Sequence, residues 1–277
     1  MKKQMKKFML VGGIAILSTL FLAGCQSNNA EEETSSEAVT EENVEGSLEG
    51  ESLRIGTSGV FAPFSYYEED GQTLTGYDIE LLDKLQEFLG YELAGGEYQV
   101  QDYAPLVTSL SEGKLDVAAA ALCATSERQE IMDFTEPYLN SGQRVMINTE
   151  ADTGITGIDD LGDKTVGVEK GTASHAYASK NLEGAKIEAY DKITGAFEAL
   201  QQNKVDAVIQ DAPNVAYYVK TQTDSTLEGI GEEFNQDESP YAVALTKDSP
   251  YKENFELALK VFEEDGTLKE LNKKWTE

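Results

Sequence analysis

The sequence predicts an α/β fold of two lobes, and three observations carry the prediction. Short β-rich runs alternate with helical patterns through residues 52–277; one stretch recurs 90 residues downstream; and 277 residues can hold two lobes of ordinary domain size. Alternation of this kind implies parallel strands covered by helices.

Leu53 to Thr57 reads as a first strand. Tyr77 to Leu89 places Ile79, Leu82, Leu85, Phe88 and Leu89 at spacings near three and four, with Gly90 as a stop, which makes a helix. A strand follows over Tyr98 to Gln101, a helix over Ala104 to Glu112 stopped by Gly113, and a strand over Leu115 to Ala120. A short helix starts around Ser126, with Ser126 and Gln129 at capping-box spacing. The grammar then restarts: strand Thr165 to Val168, helix from Thr172, strand Ile187 to Tyr190, helix Thr194 to Gln202, strand Val205 to Ile209, helix from Pro213. Within it, Ser109 to Val117 (SLSEGKLDV) parallels Ala199 to Ala207 (ALQQNKVDA): helix end, tight turn, Lys, then an apolar-Asp-apolar strand.

Charge divides the chain into three parts. The first 24 residues carry Lys2, Lys3, Lys6 and Lys7, no acid, and an apolar run from Phe8 to Ala23. That is the pattern of an export signal. It ends in Leu22-Ala23-Gly24-Cys25, which resembles the bacterial lipobox, so Cys25 is expected to become a lipid-bearing N-terminus on the extracytoplasmic face of the cell membrane. Gln26 to Glu51 holds nine Glu and no Lys or Arg, which predicts a disordered acidic tether over 25–50. The remaining body keeps 18 of the 22 Lys and Arg and 42 of the 51 Asp and Glu, a net charge of -24, which excludes nucleic acid as a partner. The 40% hydrophobic content is too high for a disordered acidic chain and admits a real core. With Cys25 acylated, Cys123 has no partner and no disulfide framework exists.

In open α/β sheets ligands bind beyond the carboxyl ends of strands. Those ends carry Ser58 and Phe61 after the first strand, Tyr103 after the second, and Ala120, Ala121 and Cys123 after the third, with Arg128 one turn into the next helix. The second lobe offers Gly171, Thr172 and Ala173 at a helix start, and Gln210 and Asp211 after its last strand. This inventory suits a zwitterion. An amino acid's carboxylate wants a guanidinium and free backbone N–H groups, and its ammonium wants a carboxylate and carbonyl oxygens. Arg128 with the amides near Gly171 and Thr172 supplies the first, and Asp211 with carbonyls of the Ala120 to Leu122 stretch the second. Phe61 and Tyr103 offer apolar faces to the ligand's side chain.

Six strings in order, LRIGTSGVFAPFSY, GYDIELLDKL, GKLDVAAAALCATSERQEIMDFTEPYLNSGQ, LGDKTVGVEKGTAS, KVDAVIQDAPNVAYYV and DGTLKELNKKW, resemble the polar amino-acid-binding lipoproteins of ABC importers, the family 3 solute-binding proteins. The resemblance spans essentially all of 52–277, and GTASHAYASKN and DAPNVAYYVKT look most like the glutamine-binding branch. It implies a type II periplasmic-binding-protein fold: α/β, two Rossmann-like lobes with mixed, mostly parallel sheets joined by a two-segment hinge. Lobe 1 would comprise 51–139 plus 241–277 and lobe 2 140–240, with crossings near Asn140 to Met146 and Asn235 to Tyr241. Carried over by position, the carboxylate-binding Arg falls on Arg128, the ammonium-binding Asp on Asp211, and the stacking aromatics on Phe61 and Tyr103. The donor loop falls on Gly171, Thr172 and Ala173, and the carbonyl segment on Ala120 and Ala121. Cys123 stands where Thr or Ser is usual, Ser58 where several members have Asp, Glu169 where the glutamine binder has Lys, and Gln210 where it has His. Glu169 and Gln210 are therefore the side-chain selectivity candidates.

The resemblance implies a monomer with a small amino-acid ligand, an ABC permease as partner, membrane attachment through lipid, and no cofactor. Other readings stand beside it. Asp211 can cap the following helix, Arg128 can pair with Glu127 or Glu130 on a surface, and Cys123 can be a small core residue. His175, the only His, next to Ser174 lacks the geometry of a nucleophile and base. No metal cluster, P-loop or CxxC occurs in the sequence. The same fold can host a dehydratase-type enzyme, for which Glu169 is the one obvious acid, or a sensory domain, which the ending soon after the last helix fits less well.

Overall fold

The protein's structure is a computed structural model that describes residues 38–277. The expectations for the export signal, for Cys25 and for the tether up to residue 37 lie outside the described residues. The described chain begins with β1 (Ser52–Leu53) and β2 (Ile55–Thr57), then β3 (Val60–Phe61), β4 (Ser65–Tyr67) and β5 (Leu74–Thr75). Next come α1 (Tyr77–Leu89), β6 (Glu92–Leu93), β7 (Gln99–Val100), α2 (Tyr103–Ser111), β8 (Val117–Ala118), α3 (Ser126–Gln129) and β9 (Met132–Phe134). A crossing leads to β10 (Gln143–Asn148), β11 (Thr165–Glu169), α4 (Ala173–Asn181), β12 (Lys186–Tyr190), α5 (Ile193–Gln201), β13 (Ala207–Asp211), α6 (Ala212–Thr221) and β14 (Leu227–Phe234). The chain then returns through β15 (Ala244–Thr246) to α7 (Lys252–Glu264) and α8 (Thr267–Thr276).

Two five-stranded sheets organise these elements, in orders β7-β2-β8-β15-β9 and β12-β11-β13-β10-β14. In each, four strands run in one direction and one, β15 or β10, next to the last in the order, runs against them. Each sheet with its helices forms a lobe, so the expected two lobes with mixed sheets are present. The first sheet buries one face under α1 and α7 through Leu81, Leu85, Phe255 and Leu259, and the other under α2 through Leu106 and Leu110. The second lies between α4, packed on Val166, Val168 and Ile209, and α5, packed on Val205 and Val208. Strands buried on both faces read as continuous apolar runs, as seen in Ala207–Ile209. The two crossings are zipped together: Tyr241 donates its N–H to the Leu139 carbonyl at 2.8 Å and accepts from the Tyr138 N–H at 2.9 Å.

The repeat read from sequence is structural. After α2 the Lys114 N–H bonds the Ser109 carbonyl at 2.8 Å, and after α5 the Lys204 N–H bonds the Ala199 carbonyl at 2.8 Å. Gly113 and Asn203 take the same left-handed turn, at φ 68° and 54°. Asp116 then receives the Arg54 N–H at 2.7 Å, and Asp206 the Thr165 N–H at 2.7 Å, so each Asp fastens the start of the parallel strand beside its own, β2 or β11.

Several expectations need correction. The strand Leu53 to Thr57 breaks at Arg54, because its N–H goes to Asp116 while the chain passes from β6 as partner to β7 and β8. Leu115 to Ala120 is strand only at Val117–Ala118, although the Asp116 and Ala119 N–H groups on either side still bond the Arg54 and Gly56 carbonyls, at 2.9 and 3.2 Å. Thr125 rather than Ser126 caps α3, accepting the Arg128 N–H at 3.2 Å, while Ser126 bonds Glu238. The disordered tether does not extend to residue 50. Val44 and Leu48 are buried, the Gly46 and Leu48 N–H groups bond the Phe88 and Leu89 carbonyls at 2.8 Å, and Ser47 accepts from Asn254 at 2.9 Å. The cause is local: two apolar residues among the Glu run dock on α1, whose last carbonyls need donors.

Candidate functional site

The carboxyl ends of the central strands face one another across the interlobe cleft. Asn214 in α6 donates to the Ala62 carbonyl at 2.5 Å, Lys192 pairs with Asp102 at 3.1 Å, and Tyr217 meets Tyr66 hydroxyl to hydroxyl at 3.4 Å. These contacts join the lobes in a closed arrangement.

Arg128 is 7% exposed and spans this closure. Its Nη1 donates to the Cys123 carbonyl at 2.9 Å within lobe 1, and its Nη2 to the Gly171 carbonyl of lobe 2 at 2.8 Å. The guanidinium lies 5.3 Å from the Tyr103 ring centroid, a cation-π contact. The surface pairing with Glu127 or Glu130 is absent from the described ion pairs. Burial works against the Arg128 charge, but Tyr103 and Cys123 more than offset it, and a guanidinium stays protonated in any case.

Asp211, 6% exposed at the end of β13, accepts the Tyr241 hydroxyl at 2.8 Å. It occupies the N-cap position of α6 yet makes no side-chain capping bond, so the capping role does not explain it. Burial pushes its carboxyl up to about 6, against the Tyr241 hydroxyl and the Arg128 charge. A buried carboxylate resisted in this way favours a cationic partner.

The loop before α4 differs from its expected form. Gly171, at φ 81°, turns its carbonyl to Arg128, and its N–H goes to His175 Nδ1 at 3.2 Å. Thr172 caps α4 through its hydroxyl, which accepts the His175 N–H at 3.1 Å and donates to the Glu169 carbonyl at 2.7 Å. Ala173 opens the helix, buried at 4%. The donors of this loop are thus the first-turn amides of α4, not Gly171.

On the lobe 1 floor, Ala121 sits at φ 49° and its N–H donates to Asp78 Oδ2 at 2.6 Å. The Ala119 carbonyl is taken by the Thr57 hydroxyl and that of Leu122 by the Ala242 N–H, which leaves Ala120 and Ala121 as the segment's carbonyl bearers. Cys123 is 2% exposed, with Sγ 4.0 Å from the Ala121 carbonyl; burial pushes its thiol up. Ser58 is 1% exposed at the end of β2. Phe61 stacks on Phe64 at 5.8 Å, whereas Tyr103 lies under Arg128, so each aromatic has its own protein partner.

Sequence reasoning missed Asp78, Tyr138 and Asn214. Asp78 is fully buried, accepts the Tyr138 hydroxyl at 2.6 Å and holds the Ala121 turn; burial pushes it up to about 6 against those two donors. Its signal was present, an acid between apolar neighbours in the first turn of an otherwise ordinary amphipathic helix. Glu169 and Gln210, 2% and 1% exposed, end adjacent parallel strands on the α5 face.

Two lobes closing on a buried cation from one and a buried anion from the other define a binding protein of the hinged, two-lobed class. The chain belongs to the bacterial extracellular solute-binding proteins, family 3, whose model matches residues 53–277. It is 31% identical over 275 residues to the arginine-binding extracellular protein ArtP of Bacillus subtilis, covering 98% of each chain. It is 30% identical to the L-cystine-binding protein TcyJ of Escherichia coli, over 80% of this chain and 82% of that one. An ancestral arginine-binding protein bound to arginine is similar in structure, with TM-score 0.74 and 32% identity over 82% of this chain and 98% of that one. The ancestral amino acid-binding protein AncCDT-1, a precursor of cyclohexadienyl dehydratase, gives TM-score 0.71 and 30% identity over 82% and 95%. No helix among the described residues is long and apolar enough to cross a membrane.

Proposed function

We propose that this protein is an extracytoplasmic receptor, lipid-anchored through Cys25, that captures a polar amino acid between its lobes and delivers it to an ABC permease. The observation that carries the reading is the pair Arg128 and Asp211, both more than nine-tenths buried, one on each side of the closure. The ligand's carboxylate takes the Nη2 donor that Arg128 directs at Gly171, with first-turn amides of α4 beside it. Its ammonium takes Asp211, with the Ala120 and Ala121 carbonyls. Phe61 and Tyr103 flank the side chain, Ser58 and Cys123 line the floor, and Glu169 and Gln210 face the side chain's end. The lobes divide as 51–139 plus 241–277 and 140–240, with residues 38–50 added to lobe 1.

Mechanism follows from the division of charge. A ligand held equally by open and closed forms shifts neither, so contacts that exist only when both lobes engage convert binding into closure. The closed form then presents one rigid surface to the permease. The protein acts as a monomer, without a cofactor or a chemical step. The similarity to AncCDT-1 keeps a dehydratase reading in view, with Glu169 as its acid, and turnover of a cyclic acid would favour it. Calorimetric titration of the purified chain with the twenty amino acids, cystine and ornithine tests the receptor reading: one or a few should bind at a stoichiometry of one, and none binding would overturn it.

A further inference from the structure

On the α5 side of the cleft, buried polar side chains gather with several of their atoms left unpartnered. In the register Val166 with Ala207 and Gly167 with Val208, continuation of the two parallel strands puts Glu169 beside Gln210. They share a face, since Val166, Val168, Ala207 and Ile209 pack together on the opposite one. Gln210 has neither Oε1 nor Nε2 hydrogen-bonded, and Asn214, 4% exposed, has an unpartnered Oδ1. The Asn214 amide is oriented by its bond to the Ala62 carbonyl, which fixes Oδ1 as a free acceptor. The Ile193 N–H at the start of α5 bonds the Glu169 carboxyl, and Ile193 and Asn214 line one interlobe groove of about 320 Å³, so Asn214 stands on the same side of the cleft. Glu169 forms no ion pair among the described residues; the nearby Lys192 is committed to Asp102 and about half exposed.

Such a set is rich in acceptors. A carboxylate, an amide oxygen and a second amide oxygen stand against one amide nitrogen, in a site where unpaired polar groups are costly. A guanidinium or ammonium has donors only, and so matches it; a carboxamide, which brings an acceptor of its own, matches it less well. We propose that the ligand is an amino acid whose side chain ends in a cation, received by Glu169 with Gln210 and Asn214 beside it. This rests on the receptor reading, with Arg128 and Asp211 holding the zwitterionic end.

The charge environment agrees. Burial first, then the Asp211 charge, pushes the Glu169 carboxyl up to about 8; the Ile193 N–H and Lys192 pull it down and Asp102 pushes it up. A ligand cation favours the carboxylate, so binding below pH 8 expels a proton and affinity rises with pH towards 8. A carboxyl raised on folding stabilises the free protein below its unfolded value and loses that contribution as pH climbs to about 8; the cation reverses this loss.

The test compares arginine with citrulline, its neutral near-isostere, and lysine with norleucine, by calorimetry on wild type, Glu169→Gln and Arg128→Ala. Arginine or lysine should bind at least about 100-fold tighter than its neutral counterpart, and Glu169→Gln should weaken it about 30-fold or more. Affinity for the cation should tighten between pH 6.5 and 8, where Asp211 contributes little, and this slope should flatten in Glu169→Gln. Citrulline equal to arginine together with norleucine equal to lysine, or an unaffected Glu169→Gln, overturns the cation subsite. A neutral amino acid that binds, loses affinity in Arg128→Ala and outcompetes every cation overturns it too, while leaving the receptor reading standing. No amino acid binding, or binding indifferent to Arg128→Ala, fails the receptor reading itself.

Discussion

The two lobes start from one plan and end with opposite chemistry. Both enter their sheet through helix, left-handed turn, Lys and a strand-fastening Asp, and both place a Gly in the middle of the strand so fastened, Gly56 in β2 and Gly167 in β11. At the carboxyl ends the likeness stops. Lobe 1 ends in small residues, two aromatics and one guanidinium, and its only buried acid among the described residues, Asp78, is spent on shaping the Ala121 turn. Lobe 2 ends in two buried carboxyls, Glu169 and Asp211, both pushed up by burial. The difference teaches that the shared framework sets where ligand groups stand, while the few residues after each strand set which charge they meet. On the proposed reading, an amino acid's two charges would require both lobes at once.

The largest predicted effect breaks this division. Arg128→Ala and Asp211→Ala should each weaken amino-acid binding by about 2–5 kcal/mol, or roughly 30-fold to several-thousand-fold, with the far-ultraviolet circular dichroism unchanged. Calorimetry should find the two losses similar, since each leaves a desolvated ligand charge unmatched. Undiminished binding in either variant would sink the cross-lobe pairing.

A smaller effect tests whether these two strand glycines are equivalent. A Cβ at Gly56 would stand 2.4 Å from Leu115 Cδ1 and 2.6 Å from Leu106 Cδ1, whereas one at Gly167 would stand 3.1 Å from its nearest neighbour, a Val208 methyl. Gly56→Ala should therefore destabilise by about 1–3 kcal/mol in urea unfolding and Gly167→Ala by less. Equal losses would mean that lobe 1 repacks as readily as lobe 2.

The framework was legible in sequence because its signals are local. The bounds of α1 followed from apolar spacing and from Gly90, which takes φ 85° and returns its N–H to Gln86. The Lys114 and Lys204 turns followed from a repeated string. What stayed hidden depends on contacts distant in sequence. Asp78 looks like any acid on a helix until Ala121 and Tyr138 arrive from 43 and 60 residues away. Val44 and Leu48 looked like incidental apolar residues in a Glu-rich spacer, because composition averages over the two positions that dock. Arg128 and Asp211 were found as residue types at strand ends, but the turn of the Gly171 carbonyl towards Arg128 was not readable, since it depends on closure.

The fastening aspartates sharpen the comparison further. Asp116 accepts the Arg54 N–H and its guanidinium, at 2.7 and 2.5–2.9 Å, while Asp206 takes the Thr165 N–H without a guanidinium. Either Asp→Ala should cost about 1–3 kcal/mol by stranding a backbone N–H, with Asp116→Ala exceeding Asp206→Ala by at most about 1, because Arg54 is 41% exposed and water screens the pair. Burial would raise the Asp116 carboxyl, but the Arg54 bonds outweigh it and hold it below its ordinary value. The sign follows: this contribution is present above the unfolded value near 4 and is lost as pH falls through the folded one. The stability gap between wild type and Asp116→Ala should narrow below about pH 4, and a gap unchanged at pH 3 would remove the ion pair from the account.

The smallest effect concerns Cys123, where lobe 1 carries a thiol beside the Ala121 turn. Its backbone already serves the site, since its carbonyl holds Arg128. The side chain contributes little: Sγ is a weak donor and lies 4.0 Å from the Ala121 carbonyl. Cys123→Thr puts a hydroxyl there, a better donor and acceptor, so binding should hold or tighten by less than about tenfold, the range of one neutral hydrogen bond. No change would assign Cys123 to packing alone. A loss beyond tenfold with the fold intact would show that the added methyl group shifts the Arg128 carbonyl partner, and that lobe 1 tolerates no change of shape beneath its buried cation.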